Sequence, residues 1–261
     1  MADNYPQQSP LYTPKCVMIT GATSGFGQAF AKRFAALGCS LVLHGRNEKK
    51  LDTLITELSV PVHKLIFDIT DKNSTRTSIN DIPDEYKDID LLINNAGGAL
   101  GLDKFQDADI DDMEAMIEMN NTSLIRITRQ VLPQMTDRKK GHIINIGSIA
   151  GNWPYPGGHV YCAVKAFVKQ FSLALRSDLI GTNVRVTNIE PGMAETGFSI
   201  SRFKGDEEKA AAVYANTIPL SAEDIAESVV WAACLPPHAN INTMEMMTTQ
   251  QSLSALHIER S

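Results

Sequence analysis

The run Lys15-Cys16-Val17-Met18-Ile19-Thr20 leads directly into Gly21-Ala22-Thr23-Ser24-Gly25-Phe26-Gly27, and an amphipathic stretch from Gln28 to Leu37 follows, stopped by Gly38. A buried strand, a glycine-rich turn and a helix in that order commit the chain to a βα unit whose helix points its N-terminus at whatever the turn holds. Glycines let the backbone approach a pyrophosphate, and the first helical turn offers N–H groups without intrahelical partners. The turn is therefore read as a dinucleotide phosphate site. Its spacing is Gly-x-x-x-Gly-x-Gly, not the commoner Gly-x-Gly-x-x-Gly, so a flexible turn that binds nothing is the competing reading.

Short apolar runs alternate with longer helical patterns along the rest of the chain. Strands are expected near residues 15–20, 40–44, 62–67, 89–93, 142–147, 183–189 and 242–247, and helices near 25–37, 47–58, 72–80, 110–135, 159–180 and 221–235. The alternation predicts an α/β fold, a single-domain Rossmann-type doubly wound parallel sheet of about seven strands with helices on both faces, because parallel neighbours need crossover connections. A chain of 261 residues with 43% hydrophobic content can bury one such core. The domain is expected to span residues 15–261. Residues 1–14, rich in Pro and Gln, read as an N-terminal extension that is loose or packed on a partner, and residues 193–219 interrupt the alternation.

A net charge of −6 gives no clustered basic face, so no nucleic acid and no membrane surface is expected as a partner. The four cysteines lack C-x-x-C pairing and metal-ligand spacing, and the histidines are scattered; no metal is expected. With no apolar run near the roughly 20 residues that span a bilayer and no basic, apolar leader, a cytoplasmic protein is expected.

Tyr161 and Lys165 stand four residues apart, about one helical turn, so the phenol and the ammonium project from one face. Ser148 follows the apolar run His142 to Gly147. A phenol with an ordinary pKa of about 10 is a poor acid-base catalyst at neutral pH, and a nearby cation lowers that value. Tyr161 can then exchange a proton with a substrate oxygen that Ser148 holds. Tyr-x-x-x-Lys alone is weak, since such pairs occur on many solvated helices; the glycine turn gives it weight.

Together these residues resemble the short-chain dehydrogenase/reductase family over nearly the whole chain. Thr20 to Gly27 resembles the family's cofactor turn, Asn94-Asn95-Ala96-Gly97 its second signature, Ser148, Tyr161 and Lys165 its catalytic positions, and Pro191-Gly192 the turn beside the nicotinamide. The family's catalytic Asn in the long middle helix fits Asn120 best, with Asn121 adjacent and Ser123 where many members have Gly. The resemblance implies cofactor contacts from Gly21, Thr23, Ser24, Gly25, Phe26, Gly27, Asn95, Ala96, Gly97, Tyr161, Lys165, Pro191, Gly192 and Thr196. It also implies a mobile substrate lid over 193–219, and a homo-tetramer through the helices at 109–135 and 161–180.

Cofactor choice rests on the second strand, which ends Leu43-His44-Gly45-Arg46-Asn47 with no acid until Glu48. An arginine there favours the 2′-phosphate of NADP, whereas an acid would hold the ribose of NAD. NADP is expected; in the bland reading Arg46 caps a solvated loop. Asp68 resembles the family's adenine contact, with the N-cap of the next helix as the alternative.

The stretches Gly141 to Gly151, Trp153-Pro154-Tyr155, Ile189-Glu190-Pro191-Gly192 and Arg202-Phe203-Lys204-Gly205 resemble the branch of the family that uses NADP to oxidise 3-hydroxy acids such as serine, allo-threonine or 3-hydroxypropionate. Its substrates are small and anionic. A guanidinium can grip a carboxylate or sulfonate with two N–H bonds, so Arg202 is the expected anchor, with Tyr155 and Gln250 as further polar contacts beside Ser148 and Tyr161. A surface charge on the lid is the other reading of Arg202. Two other functions stay open: reduction of sulfoacetaldehyde to isethionate with NADPH, and a non-catalytic dinucleotide-binding sensor or scaffold.

Overall fold

The computed structural model describes residues 12–23 and 25–252. Seven parallel strands form one sheet in the order β3-β2-β1-β4-β5-β6-β7. They are β1 (Cys16–Ile19), β2 (Ser40–Gly45), β3 (Val62–Ile66), β4 (Leu91–Asn94), β5 (Gly141–Ile146), β6 (Val184–Pro191) and β7 (Thr243–Met246). The helices are α1 (Gly25–Ala36), α2 (Glu48–Thr56), α3 (Lys72–Asn80), α4 (Asp84–Lys87), α5 (Ile110–Ile117), α6 (Ser123–Asp137), α7 (His159–Asp178), α8 (Phe198–Arg202), α9 (Glu207–Ala212) and α10 (Ala222–Ala233). This is the expected doubly wound sheet. Among the described residues, no helix is long and apolar enough to cross a membrane.

Strand alternation sorts the core into two layers. Val17, Ile19, Leu41, Leu43 and Ile93 face α1 and α10, packing on Phe30, Phe34, Ile225 and Val229. Met18, Val42, Leu92 and Ile143 face the opposite side, packing on Ile79 of α3 and Ile127, Val131 and Met135 of α6. Side chains with a period of two thus fill both faces, and each fully buried aliphatic contributes about 1.5–3 kcal/mol. A polar ladder crosses the centre of the sheet: Asn94 donates to Thr128 on α6 (3.0 Å) and to Asn145 (2.8 Å), which donates to Ser172 on α7 (2.8 Å). Each of these four buried side chains has a partner, as burial demands.

One expectation changes, and two segments gain detail. The helix expected over 110–135 is interrupted by a π-helical turn, Glu118–Thr122, between α5 and α6. The segment at 193–219 holds α8 and α9, and its ends are joined by backbone hydrogen bonds between Leu220 N and Met193 O and between Glu195 N and Leu220 O. The described end of the extension packs on its own chain: Tyr12 N donates to Cys234 O, and Lys140 and Arg185 stand 5.5 and 5.9 Å from the Tyr12 ring centre. Residues 1–11 lie outside the described residues.

Candidate active site

Strand order reverses between β1 and β4, and the glycine turn leaves one strand where Asn95-Ala96-Gly97 leaves the other. Such a switch point opens a crevice at the strand ends. Gly21 has φ +68°, and a Cβ there would press on Ala96 Cα at 3.0 Å; a Cβ on Gly27 would meet the Gly21 carbonyl oxygen at 2.2 Å. Both glycines are therefore demanded by the turn itself. Ser24, an expected phosphate contact, lies outside the described residues.

Three residues hold the turn. Asn95 Nδ2 donates to the carbonyls of Thr20 (2.9 Å) and Gly21 (3.1 Å), and Thr20 Oγ1 accepts from the N–H groups of Asn95 and Ala96. The side chain of Asn95 thus clamps the turn. The third, His44 on β2, went unnoticed in the sequence. Its Nδ1 accepts from Gly21 N (3.3 Å), its Nε2 lies 3.1 Å from Phe67 O, and its carbonyl accepts from Ala22 N (2.8 Å). A carbonyl only accepts and an amide N–H only donates, so Nε2 bears the proton and the ring is neutral. Burial pushes its pKa down to about 4.

The crevice fits a 2′-phosphorylated dinucleotide. A Cβ on Gly25 would meet Thr196 at 3.2 Å, which places the start of the 193–219 segment against the first turn of α1. Thr23 packs on Gly45, and the next residue, Arg46, leaves its guanidinium largely exposed at the end of β2, 3.5 Å from the Asp68 carboxylate. Asp68 accepts from Thr70 N and Oγ1, and the Thr70 N–H is the main cause that holds its carboxyl below the usual range. Its alternative reading as a helix N-cap is overturned: Asp71 caps α3, accepting from Ser74 N at 2.8 Å.

Asn120 lies in the π-helical turn, whose widened hydrogen bonding leaves the Met116 carbonyl open to a side chain. Asn120 Nδ2 donates to Met116 O (2.8 Å) and Gly98 O (2.9 Å), while Oδ1 accepts from Gly98 N (3.2 Å). A Cβ on Gly97 would meet Asn120 Oδ1 at 2.6 Å and lie 3.8 Å from Lys165 Nζ, so Asn120 and Lys165 converge on Gly97. Lys165 is buried, donates to Ile146 O at 3.0 Å, and is pushed down to about 8 by burial.

Tyr161 lies beside it on α7, with Lys165 Nζ 5.8 Å from the ring centre. The expected lowering of the phenol is not what this arrangement produces. Burial pushes the phenol up, Tyr155 and Cys162 reinforce that, and the nearby Ser148 hydroxyl and Arg202 charge act in the opposite direction. Ser148 opens a short 3₁₀ turn, Ile149–Gly151, with Oγ accepting from Ala150 N at 3.1 Å.

The 193–219 segment delivers Arg202 to this cluster. Its Nε donates to Gly101 O (3.1 Å), its Nη2 donates to Tyr155 Oη (2.9 Å), and its guanidinium carbon stands 5.5 Å from the ring centres of both Tyr155 and Tyr161. Nη1 has no hydrogen-bond partner among the described residues. The surface-charge reading of Arg202 falls, because the residue is half-buried against both tyrosines. Phe198, also missed in the sequence, packs its ring 5.6 Å from that of Tyr161.

Gln250 is placed elsewhere. It is exposed, and its Oε1 accepts from Ile218 N at the far end of the segment. The neighbouring Gln251 is the glutamine at Pro191-Gly192: its Oε1 accepts from Met193 N at 2.9 Å and would meet a Cβ on Gly192 at 2.3 Å. No local pattern distinguishes the two residues; the turn after β7 decides.

Comparison with known proteins agrees with this geometry. The NADP-dependent 3-hydroxy acid dehydrogenase YdfG of Salmonella typhi is 51% identical over 246 residues, covering 94% of this chain and 99% of that protein. A sulfoacetaldehyde reductase of Chromohalobacter salexigens is 49% identical over 247 residues, covering 94% and 98%. Among solved structures, the closed form of a serine dehydrogenase complexed with NADP+ superposes with a TM-score of 0.91 at 48% identity, over 94% of this chain and all of that one. The short chain dehydrogenase family model matches residues 15–207, a stretch that holds the glycine turn, Asn120, Ser148, Tyr161, Lys165 and Arg202, and the chain belongs to that family.

Proposed function

We propose that the protein is an NADP(H)-dependent oxidoreductase that interconverts a small anionic hydroxy compound, a 3-hydroxy acid such as serine, allo-threonine or 3-hydroxypropionate, with its aldehyde or ketone. The observation that carries this reading is the position of Arg202, a cation half-buried over Tyr161 in a crevice that also holds Ser148. Arg202 Nη1, without a hydrogen-bond partner among the described residues, is a charged donor suited to a carboxylate or sulfonate. The relatives named for 3-hydroxy acids and for sulfoacetaldehyde, at 51% and 49% identity, agree with an anionic substrate.

When bound, NADPH would supply the hydride for reduction and NADP+ would accept it in oxidation. Gly21, Thr23, Gly25, Phe26 and Gly27 would hold the pyrophosphate at the start of α1, Arg46 the 2′-phosphate and Asp68 the adenine. Ala96, Gly97, Lys165, Pro191, Gly192 and Thr196 would hold the nicotinamide half. Tyr161 gives its phenolic proton to the substrate oxygen during reduction and takes it back during oxidation. Ser148 donates to that same oxygen, and Asn120 holds the backbone at Gly98 next to Lys165. Arg202, through Nη1, and the Tyr155 hydroxyl grip the substrate anion, and residues 193–219 act as the lid that brings Arg202 in.

A sulfonate asks for similar donors, so sulfoacetaldehyde reduction is the second reading, favoured by the sulfoacetaldehyde reductase relative. We place the enzyme in the cytoplasm, where its four free thiols suit a reducing compartment. We assign it a homo-tetramer built on the outer faces of α6 and α7, where Ile125 and Phe167 are exposed and Phe167 stacks on Phe171. Steady-state turnover of NADPH and NADH with a panel of small carboxylated, sulfonated and neutral aldehydes tests the function. NADPH-dependent turnover that favours the anions is expected; absence of turnover with every anion overturns it.

A further inference from the structure

Glu190 immediately precedes Pro191-Gly192 at the end of β6, and its carboxylate is 1% exposed. A buried carboxylate is costly unless fully hydrogen-bonded, and an apolar side chain would pack β6 against its neighbours at lower cost. Its two oxygens have separate partners. Oε2 accepts from Asn152 Nδ2 at 2.7 Å; Oε1 accepts from Asn188 Nδ2 at 2.7 Å and lies 3.6 Å from Lys169 Nζ of α7.

These partners bracket Ser148. Asn188, held by its amide nitrogen, turns its Oδ1 against Gly147, where a Cβ would approach to 2.4 Å. On the other side, Asn152 ends the 3₁₀ turn that begins after Ser148. Asn152 is held again by Lys169 Nζ, which donates to its Oδ1 at 2.7 Å, and by Glu245, which accepts from its Nδ2 at 3.0 Å and from Trp153 Nε1 at 3.2 Å. Glu245 is the register partner of Glu190 on β7, so two carboxylates of adjacent strands face one asparagine. The turn is wedged from behind as well: a Cβ on Gly151 would lie 2.8 Å from the Lys165 carbonyl carbon.

We infer that Glu190 is a positioning residue of the active site: it holds Asn188, which packs on Gly147, and Asn152, which ends the turn after Ser148, and so fixes the Ser148 hydroxyl beside Tyr161. Glu190 touches neither reacting group; it acts through Asn152 and Asn188. The inference rests on the oxidoreductase reading of Ser148 and Tyr161. A glutamine at 190 accepts on one oxygen only and turns an NH2 group toward a donor, so Glu190→Gln breaks one of the two grips without changing side-chain volume. Asn152→Ala leaves the carboxylate in place and removes the grip on the turn.

The test compares the wild-type enzyme, Glu190→Gln and Asn152→Ala in kcat, KM for NADP+, thermal stability and the pH profile of hydroxyl oxidation on the best substrate. Displacement of a hydroxyl by a fraction of an ångström to 1 Å costs on the order of 10- to 100-fold, so kcat is expected to fall by about 10-fold or more with KM for NADP+ unchanged. The pH at which oxidation reaches its plateau is expected to move upward in both variants, because Ser148 no longer favours the phenolate. A merely structural Glu190 would lower the melting temperature and leave the pH profile where it is, and that outcome in a folded variant overturns the inference. Failure of Glu190→Gln to fold passes the decision to Asn152→Ala. Absence of turnover in the wild type refutes the oxidoreductase reading instead; crystal structures of the variants then decide this one, and a Ser148 hydroxyl in its wild-type place rejects it.

Discussion

The guanidinium of Arg202 stands 5.5 Å from the ring centre of Tyr161, although one residue belongs to α8 and the other to α7. A cation at that distance favours the phenolate, and in the function proposed above the same side chain would also donate to the substrate anion. The main-chain hydrogen bond from Gly101 N to Arg202 O, and the ion pair between Lys204 and Asp112 at 2.8 Å, hold the segment in this position.

Arg202→Ala is expected to lower kcat/KM for carboxylated and sulfonated substrates by on the order of 10- to 100-fold, since a charge-assisted hydrogen bond is worth about 1.5–3 kcal/mol. Neutral aldehydes of similar size should lose less, since they lose only the effect of the Arg202 charge on Tyr161. Equal losses for charged and neutral substrates would show that Arg202 shapes the lid and does not read the anion.

Replacing the phenol tests the proton donor. Tyr161→Phe should lose at least about 100-fold in turnover while NADPH binding, measured by fluorescence titration, stays near wild type. Lys165→Ala should weaken both. Retention of more than about a tenth of turnover in Tyr161→Phe counts against the assignment.

Cofactor preference is expected to follow Arg46. Arg46→Asp sets a carboxylate against the 2′-phosphate and also leaves Asp68 without its ion-pair partner, so the ratio of kcat/KM for NADPH over NADH should fall by on the order of 10-fold or more. An unchanged ratio would remove Arg46 as the reader of the phosphate.

His44 links the phosphate turn to pH. Its folded pKa of about 4 lies below the ordinary 6.5, so between those values the unfolded chain binds a proton that the folded chain refuses. Stability from this group is fully present above about pH 6.5, declines as pH falls toward about 4 and is constant below, a total of about 3 kcal/mol. The advantage of wild type over His44→Phe in urea unfolding should therefore narrow across that window. Parallel stability curves would exclude the neutral, hydrogen-bonded histidine.

Much of this architecture was legible in local patterns. The glycine turn between β1 and α1, the seven apolar runs that became strands and the one-turn spacing of Tyr161 and Lys165 depend on backbone sterics and side-chain period, which act over a few residues. The break in the helix at Asn120 was not legible, because it is stabilised by the Gly98 backbone, which the fold brings in from the end of β4. The same holds for His44 on Gly21, Gln251 in place of Gln250 at Met193, Glu190 on Asn152, and Arg202 over Tyr161. Each of these pairs joins residues that no short-range period relates. Their partners meet only once the parallel sheet has set the strand ends side by side, and buried polar groups such as His44 and Glu190 are then satisfied by the neighbours brought there.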